Sequence, residues 1–596
     1  MSFTTRPEIL GTFGVATSTH WIASSVGMSI LEKGGNAFDS AVAMGFVLNV
    51  VEPHLNGPLG EVPAIFRVAG EDTPKVLCGQ GVAPGGATIE HFRNEGLERV
   101  PGSGLLATVV PGAFDAWMIL LRDYGRLRLR DVLEPAIHYA RAGHPVLPRV
   151  SATIAGLAGF FQAEWPTSAA TWLPGGAAPA PNSLFANPDL ADTWERLLAA
   201  GEAAPGREGQ IEAARAAFSQ GFVAQTIDSY LRHAKVMDGE GARRKGVLTG
   251  DDMANWQASY ETPLSVDYGD WTVWKAGFWS QGPTFLQSLL MLEGTDIGDL
   301  DPLGAEFVHR IIETMKLSFA DREAYYGDPK HAGIPAQTLL SRAYGAQRRG
   351  LVQNTASLDQ RPGDIAGYEH LAAAAIERAK NLQAGELGAG VGEPTMAHLS
   401  EKRGDTVHLD VIDRWGNMVS ATPSGGWLQS SPVVAGLGMP LNSRAQMFWL
   451  DKGLPTSLAP GRRPRTTLTP SMASRKDGAT IAFGTPGGDQ QDQWQLIFFL
   501  RLVHGGLNLQ EAIDAPLFHT AHFQSSFHPR VADPGHLMIE PAFGQAVLDD
   551  LRARGHRVQV AQPWTIGRLT AAMQDASGLL RAAATPRLMQ AYAVGR

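Results

Sequence analysis

Cysteine is almost missing from this chain. Cys78 is the only one in 596 residues, so no intramolecular disulfide can form and no cysteine-based metal site can be built. No run of about 18 apolar residues occurs, which excludes a membrane-spanning helix. The first ten residues, Met-Ser-Phe-Thr-Thr-Arg-Pro-Glu-Ile-Leu, contain no apolar stretch of the signal-peptide kind, so the expected location is cytoplasmic. No basic block is present and the net charge is -9, which leaves a nucleic-acid role without support. Gly-x-Ser-x-Gly is absent, which disfavours a serine hydrolase of the α/β type. His-Glu-x-x-His is absent too, which disfavours a metallohydrolase. Gly388-x-Gly390 lacks the third glycine and a preceding strand, so it is not a dinucleotide fingerprint. No metal and no cofactor are expected. What the chain does have is 67 Gly, 38 Pro and a 44% apolar fraction, which describes a globular protein with many turns rather than a disordered one.

The most informative stretch runs from residue 404 to 426. Thr406 to Ile412 alternates, with Val407, Leu409 and Val411 on one face and Thr406, His408 and Asp410 on the other. Asn417 to Thr422 is rich in β-compatible residues, and Asp413-Arg414-Trp415-Gly416 between the two reads as a turn. The pattern predicts a hairpin headed by Thr406.

A threonine hydroxyl is a poor nucleophile until a base removes its proton. The α-amine of the same residue can do this once it is free. Its reference pKa of about 7.7–8.0 leaves a useful neutral fraction near pH 7. An internal Thr406 would gain that amine only if the Asp405–Thr406 bond were cut, and its own hydroxyl can attack the preceding carbonyl to do so. On residue types alone, a threonine opening a strand is more often structural.

The surrounding residues add a resemblance. Thr406-Val-His408, followed by Val411-Ile-Asp413-x-x-Gly416-Asn417, resembles the maturation site of the γ-glutamyltranspeptidase family, which reads Thr-Thr-His-Tyr-Ser-Val-Val-Asp-x-x-Gly-Asn. The similarity extends from residue 11 to the C-terminus. Ile30-Leu-Glu-Lys-Gly-Gly-Asn36-Ala-x-Asp39-x-Ala-Val-Ala43 and Val51-Glu-Pro-His54 match the family's opening helices. The glycine loop that follows is altered, to Asn56-Gly57-Pro58-Leu59-Gly60-Glu61. Val110-Pro-Gly112, Ala140-Arg-Ala-Gly-His-Pro145, Phe319-Ala-Asp-Arg322 and Tyr326-Gly-Asp328 are family-like as well, and read as scaffold. Helices are predicted over about 23–33, 36–51, 113–124, 128–142 and 304–327, with Ala-rich helices and loops across 150–250. From about 352 to 404, Ala, Gly, Glu and Gln dominate, and Gly385 to Gly392 reads as a flexible run ahead of the cut.

The resemblance implies an α+β fold, the four-layer αββα sandwich of N-terminal nucleophile hydrolases. Residues 1–405 would form a large subunit and residues 406–596 a small one, interlocked in one domain. It implies Thr406 as nucleophile and Ser424, in Thr422-Pro-Ser-Gly-Gly426, as a second hydroxyl assisting it. Gly484-Thr-Pro-Gly487-Gly488 corresponds to the family's Gly-Ser-Pro-Gly-Gly, whose consecutive glycines let backbone N–H groups face a developing oxyanion. Thr466 and Thr467 replace the two serines of the family's Ser-Ser-Met-Ser-Pro and keep the hydroxyls for a substrate carboxylate.

The glutamyl-binding positions depart from the family. Its carboxylate-binding Arg aligns with Ile89, an Asn with Gly426, and the Asp that binds the glutamyl ammonium with Met447. Arg444 stands where the family has Gln. A buried ammonium without its carboxylate is costly, whereas an Arg fork suits a carboxylate. The expected substrate is therefore an amide of a small carboxylate-bearing molecule, with oxamate as the natural candidate. γ-Glutamyl transfer or glutathione hydrolysis, a glutaryl (cephalosporin-type) acylase and a non-processing binding scaffold are the alternatives. For Arg444 the plainer alternative is a salt bridge within the scaffold.

Overall fold

The computed structural model describes residues 3–381 and 406–596. Two seven-stranded sheets form its centre. The first runs Tyr592–Gly595, Gly14–Ser18, Leu409–Asp413, Met418–Ala421, Val62–Arg67, Lys75–Gly79 and Ser259–Glu261. The second runs Ile9–Gly11, Leu580–Ala584, Thr570–Gln574, Thr480–Gly484, Ser471–Arg475, Trp271–Lys275 and Leu264–Tyr268. Every neighbouring pair is antiparallel.

Each strand has one side toward the other sheet and one toward helices, because successive side chains alternate. Val15, Ile65, Cys78, Ile412, Met418, Met472, Ala482 and Ala572 fill the layer between the sheets. The many alanines there let two twisted sheets come close. Val407, Leu409, Val411 and Val419 point the other way, into helices Trp21–Glu32, Ala37–Val51 and Ala113–Tyr124. Helices Pro283–Leu292, Ala305–Tyr325 and Gln491–Gly505 cover the outside of the second sheet. The result is the expected four layers. Each fully buried Val or Leu contributes about 1.5–3 kcal/mol relative to leaving it in water.

The predicted elements lie close to the observed ones. The hairpin forms as Leu409–Asp413 paired with Met418–Ala421, and its turn is organised by Asp413. One oxygen of that carboxylate accepts from Trp415 N at 2.9 Å and Asn417 N at 3.0 Å. The other accepts from Ala37 N at 2.8 Å, which caps the helix Ala37–Val51 from a distant strand. Asn36 completes a capping box with Asp39 there. The helix Glu369–Asn381 falls where composition suggested only a changed, looser segment. Its Ala-rich run of apolar residues packs through Leu371, Ala372 and Ala375 against Tyr325 and Tyr344. The run Gly385 to Gly392 lies outside the described residues. No helix among the described residues is long and apolar enough to cross a membrane.

Candidate active site

Thr406 sits one bridge beyond the hairpin's regular ladder. It pairs antiparallel with Ser424, and Ser424 pairs antiparallel on its other side with Glu61. Ser424 N donates to Glu61 O at 3.0 Å and Glu61 N donates to Ser424 O at 2.9 Å. Direct cross-strand neighbours put their side chains on the same face. Three side chains from distant parts of the chain are thereby set in a row, and all three are buried.

The row is joined by hydrogen bonds. Thr406 Oγ1 and Ser424 Oγ are 3.1 Å apart. Arg444, on the short 3₁₀ turn Arg444–Met447, donates from Nη2 to Ser424 Oγ at 3.2 Å and from Nε to Glu61 Oε1 at 2.7 Å. Its Nη2 also reaches the Glu61 carboxylate as an ion pair. Burial pushes the Glu61 carboxyl above its usual range, and the Arg444 charge opposes that push. Among the described residues Glu61 Oε2 has no hydrogen-bond partner although it is buried. The Arg444 guanidinium lies over the Trp427 ring at 5.2 Å. Gly425 follows Ser424 with φ of 74°, and a Cβ there would come 2.4 Å from Glu61 Oε2. Only glycine leaves room for that carboxylate.

Behind Thr406, the same face of the strand continues as a polar network inside the sandwich. His408 Nδ1 meets Thr422 Oγ1 at 2.9 Å, and His408 Nε2 meets Asp410 Oδ1 at 3.0 Å. Ser420 donates to Asp410 Oδ1 at 2.8 Å. Thr570, from the other sheet, donates to Asp410 Oδ2 at 2.7 Å. Buried polar atoms need such partners, and this set pins the strand headed by Thr406 to the facing sheet. The sheets approach so closely that a Cβ on Gly484 would lie 2.2 Å from His408 Cε1.

Gly484 opens the loop carrying Gly487 and Gly488. Their φ values are 136° and 57°, and a Cβ on Gly487 would fall 2.3 Å from the Trp494 ring. The turn is held from behind. Gln281 Nε2 donates to Gly488 O at 3.1 Å, Arg322 Nη1 donates to Gln281 Oε1 at 2.8 Å, and Arg322 pairs with Asp489. Gln281 also ties in the threonine pair, since its backbone N donates to Thr466 O at 2.9 Å. Thr466 Oγ1 accepts from Leu468 N at 3.3 Å and so serves its own turn. Thr467 Oγ1 is buried and has no partner among the described residues. Lys275 and Asp492, 2.9 Å apart and fully buried, support this segment through Lys275 Nζ on Thr469 O at 3.1 Å and Thr469 Oγ1 on Asp492 at 3.0 Å.

The structure thus places Ser424 in contact with both Thr406 and Arg444, and Gln281 links the Gly487–Gly488 turn to the Thr466–Thr467 pair. Gly426, with φ of 64°, belongs to the same turn as Ser424. Ile89 lies elsewhere, in a surface groove beside His331, Leu454 and Arg462. Met447 is buried in the 3₁₀ turn behind Arg444. Sequence reasoning missed Glu61 as a member of the site. The available signal was the coincidence of two departures from the family pattern: an added carboxylate in the glycine loop and an added guanidinium at residue 444. Away from this site, ligand atoms of His309, Glu313 and His556 lie within 4.8 Å of one another. Glu313 is already engaged there by Lys316 and by Arg361 at 3.0 Å, so a cation would meet two competing positive charges.

A two-sheet sandwich headed by a buried threonine at a central strand is the arrangement of the N-terminal nucleophile hydrolases. The family profile described as gamma-glutamyltranspeptidase matches residues 23–595, and the chain belongs to that family. It is 31% identical to the glutathione hydrolase-like YwrD proenzyme of Bacillus subtilis, over 97% of this chain and 98% of that one. It is 30% identical to the oxamate amidohydrolase proenzyme of Klebsiella pneumoniae, over 97% of this chain and 98% of that one. Among solved structures, LmbA2991 superposes with a TM-score of 0.93 at 51% identity, covering 100% of both chains. The chain is accordingly a hydrolase of the N-terminal nucleophile class.

Proposed function

We propose that the chain cuts itself at Asp405–Thr406 and then hydrolyses an amide of a small carboxylate-bearing molecule of the oxamate type through an acyl-enzyme on Thr406. The observation that carries this reading is the contact between Thr406 Oγ1 and Ser424 Oγ at 3.1 Å, at the head of a strand fixed by the His408–Asp410 network. In the mature form the α-amine of Thr406 takes the hydroxyl proton as the oxygen attacks the amide carbon. The Gly487 and Gly488 backbone N–H groups receive the oxyanion. The amine delivers its proton to the leaving nitrogen, and water releases the acid by the reverse sequence. Ser424 holds the hydroxyl in line.

Arg444, Thr466 and Thr467 are the proposed substrate-binding side chains. A substrate carboxylate at Arg444 shares the fork with Glu61, and two carboxylates on one cation repel. A substrate offering an N–H beside its carboxylate removes that conflict, because Glu61 Oε2 needs a donor. Oxamate has this pattern, with its amide N–H groups next to the carboxylate. The same unpartnered oxygen also favours a second reading, γ-glutamyl transfer or hydrolysis, because an α-ammonium would serve as the donor. Glutaryl amides have neither group beside the carboxylate and fit less well. The large and small chains, residues 1–405 and 406–596, stay together because strands from both make up each sheet. A cytoplasmic setting is proposed with this.

Two measurements test the proposal. N-terminal sequencing of the purified protein should find a chain beginning at Thr406, and the Thr406→Ala form should remain uncut; an intact wild-type chain with activity would refute the mechanism. A panel of oxamate, glutathione, a γ-glutamyl anilide and a glutaryl amide should show the highest kcat/KM for oxamate. A γ-glutamyl donor turning over far faster would establish the second reading instead.

A further inference from the structure

The strand Thr480–Gly484 ends where its ladder runs into a proline. Gly484 is paired with Thr570 on the neighbouring strand. Pro486, two residues on, has no backbone N–H with which to continue the pairing. Thr485 is fully buried and meets this edge with its side chain. Its hydroxyl oxygen accepts from Arg568 N at 3.2 Å and donates to Pro486 O at 2.7 Å. Neither role can be reversed, because a backbone N–H only donates and a carbonyl only accepts. The hydroxyl proton is therefore committed to the Pro486 carbonyl.

A peptide unit is a rigid plane. The Pro486–Gly487 unit is trans, so its C=O and its N–H point in opposite directions. Whatever fixes Pro486 O therefore fixes the direction of Gly487 N–H. The next unit is fixed in the same way, since Gly487 O accepts from Gln490 N at 3.1 Å, and this sets the direction of Gly488 N–H. Of the two N–H groups in the turn, one is thus aimed by the backbone alone and the other by a side chain. The ring of Pro486 locks its own φ. The rotations left to tilt the Pro486–Gly487 plane are the ψ of Pro486 and the φ of Gly487, and glycine resists such rotation least of all residues. The Thr485 hydrogen bond restrains both.

We propose that Thr485 is a positioning residue for the reaction: through Pro486 O, its hydroxyl aims Gly487 N–H at the developing oxyanion. The inference rests on the oxyanion role proposed for Gly487 and Gly488. A donor that is already aligned stabilises the new charge without reorienting during the reaction. A plane released from Thr485 keeps its N–H but loses that alignment. The loss falls on the transition state and leaves ground-state binding nearly untouched. Serine at residue 485 would keep the hydroxyl, and valine would keep the shape without it.

The test is steady-state kinetics on matured protein, well below the unfolding temperature of each variant, with whichever of oxamate, glutathione, a γ-glutamyl anilide and a glutaryl amide turns over fastest. Thr485→Val should lower kcat about 10-fold, a fraction of the roughly 10²–10³ attached to losing one donor outright. KM should stay within about twofold. Thr485→Ser should restore kcat to within about twofold of wild type, since the hydroxyl remains. In a Gly487→Ala background, Thr485→Val should have little further effect, because both changes act on one N–H. Should Thr485→Val fold or mature poorly, Thr485→Cys, whose S–H is a weak donor, carries the same expectation of lowered kcat at constant KM. A folded Thr485→Val or Thr485→Cys protein with wild-type kcat, beside a crippled Gly487→Ala, would overturn this inference and leave the oxyanion role standing. An undiminished effect of Thr485→Val in the Gly487→Ala background would overturn it too, as would a Thr485→Ser protein no faster than Thr485→Val. Wild-type kcat in Gly487→Ala would remove the oxyanion role itself, and this inference with it.

Discussion

Arg444 Nε donates to Glu61 Oε1 at 2.7 Å across a sequence separation of 383 residues. Both residues are fully or almost fully buried, and both touch the strand position of Ser424. The pair therefore forms part of the surroundings of Ser424, the neighbour of the proposed nucleophile Thr406. The Arg444 charge opposes the effect of burial on the Glu61 carboxyl, and Arg444 Nη2 also donates to Ser424 Oγ.

The pair should prove strongly coupled. Glu61→Gln or Arg444→Gln alone leaves one charge buried, a loss of about 3–5 kcal/mol in stability. The double variant should lose much less than the sum of the two, which a double-mutant cycle in urea measures. Additive losses would mean the pair contributes nothing as a pair. In catalysis, Arg444→Gln should lower kcat/KM for small carboxylate amides roughly 10- to 150-fold. Arg444→Lys should restore part of this because it keeps the charge and loses the fork.

Ser424→Ala removes the hydroxyl that lies 3.1 Å from Thr406 Oγ1. Turnover should fall about 10²-fold with cleavage of the precursor slowed but retained. Steady-state kinetics on matured protein separates the two effects. Unchanged kcat would reduce Ser424 to a turn residue.

Gly487→Ala tests the proposed oxyanion role of the Gly487–Gly488 turn. At φ of 136° with the Trp494 ring 2.3 Å from the added Cβ, the turn must distort. Loss of one aligned backbone donor is worth about 10²–10³ in kcat. KM should move far less, since ground-state binding rests on other groups. A large rise in KM at constant kcat would place the glycine in substrate binding instead.

Two buried groups should show opposite pH signatures. Burial lowers His522 from 6.5 to about 3, so the unfolded chain takes up a proton there that the native ring refuses. Wild-type protein should therefore lose stability relative to His522→Gln as pH falls from 6.5 toward 4. Burial raises Glu52 from 4.5 to about 7, against hydrogen bonds from Thr19 and Gln590. Its native carboxyl keeps a proton that the unfolded chain gives up. Wild-type protein should then lose stability relative to Glu52→Gln as pH rises from 4.5 to 7. Each slope is at most about 1.4 kcal/mol per pH unit, read from urea midpoints. Parallel pH profiles for variant and wild type would contradict both assignments.

Much of this protein is determined locally. The alternation from Val407 to Ile412 separates a helix-facing row from an inward polar row, and the turn at Asp413 follows from its chemistry and from Gly416. The cap at Asn36, and the long helices, follow from periodicity and end signals that act within a few residues. Thr406 and Ser424 were legible as candidates for the same reason, since both are marked by short motifs in and just after one hairpin. The Gly487–Gly488 turn was legible as a turn. What only the tertiary structure decided is which distant charges meet. Glu61 lies in a loop whose sequence shows merely a broken run of glycines, and Arg444 reads equally as a substrate fork or a scaffold ion pair. Their contact depends on Ser424 bridging Thr406 on one side and Glu61 on the other. It depends also on Gly425 leaving space for the carboxylate. Ion pairing between buried groups is a matter of distance and desolvation, and neither quantity is written in residues 383 positions apart.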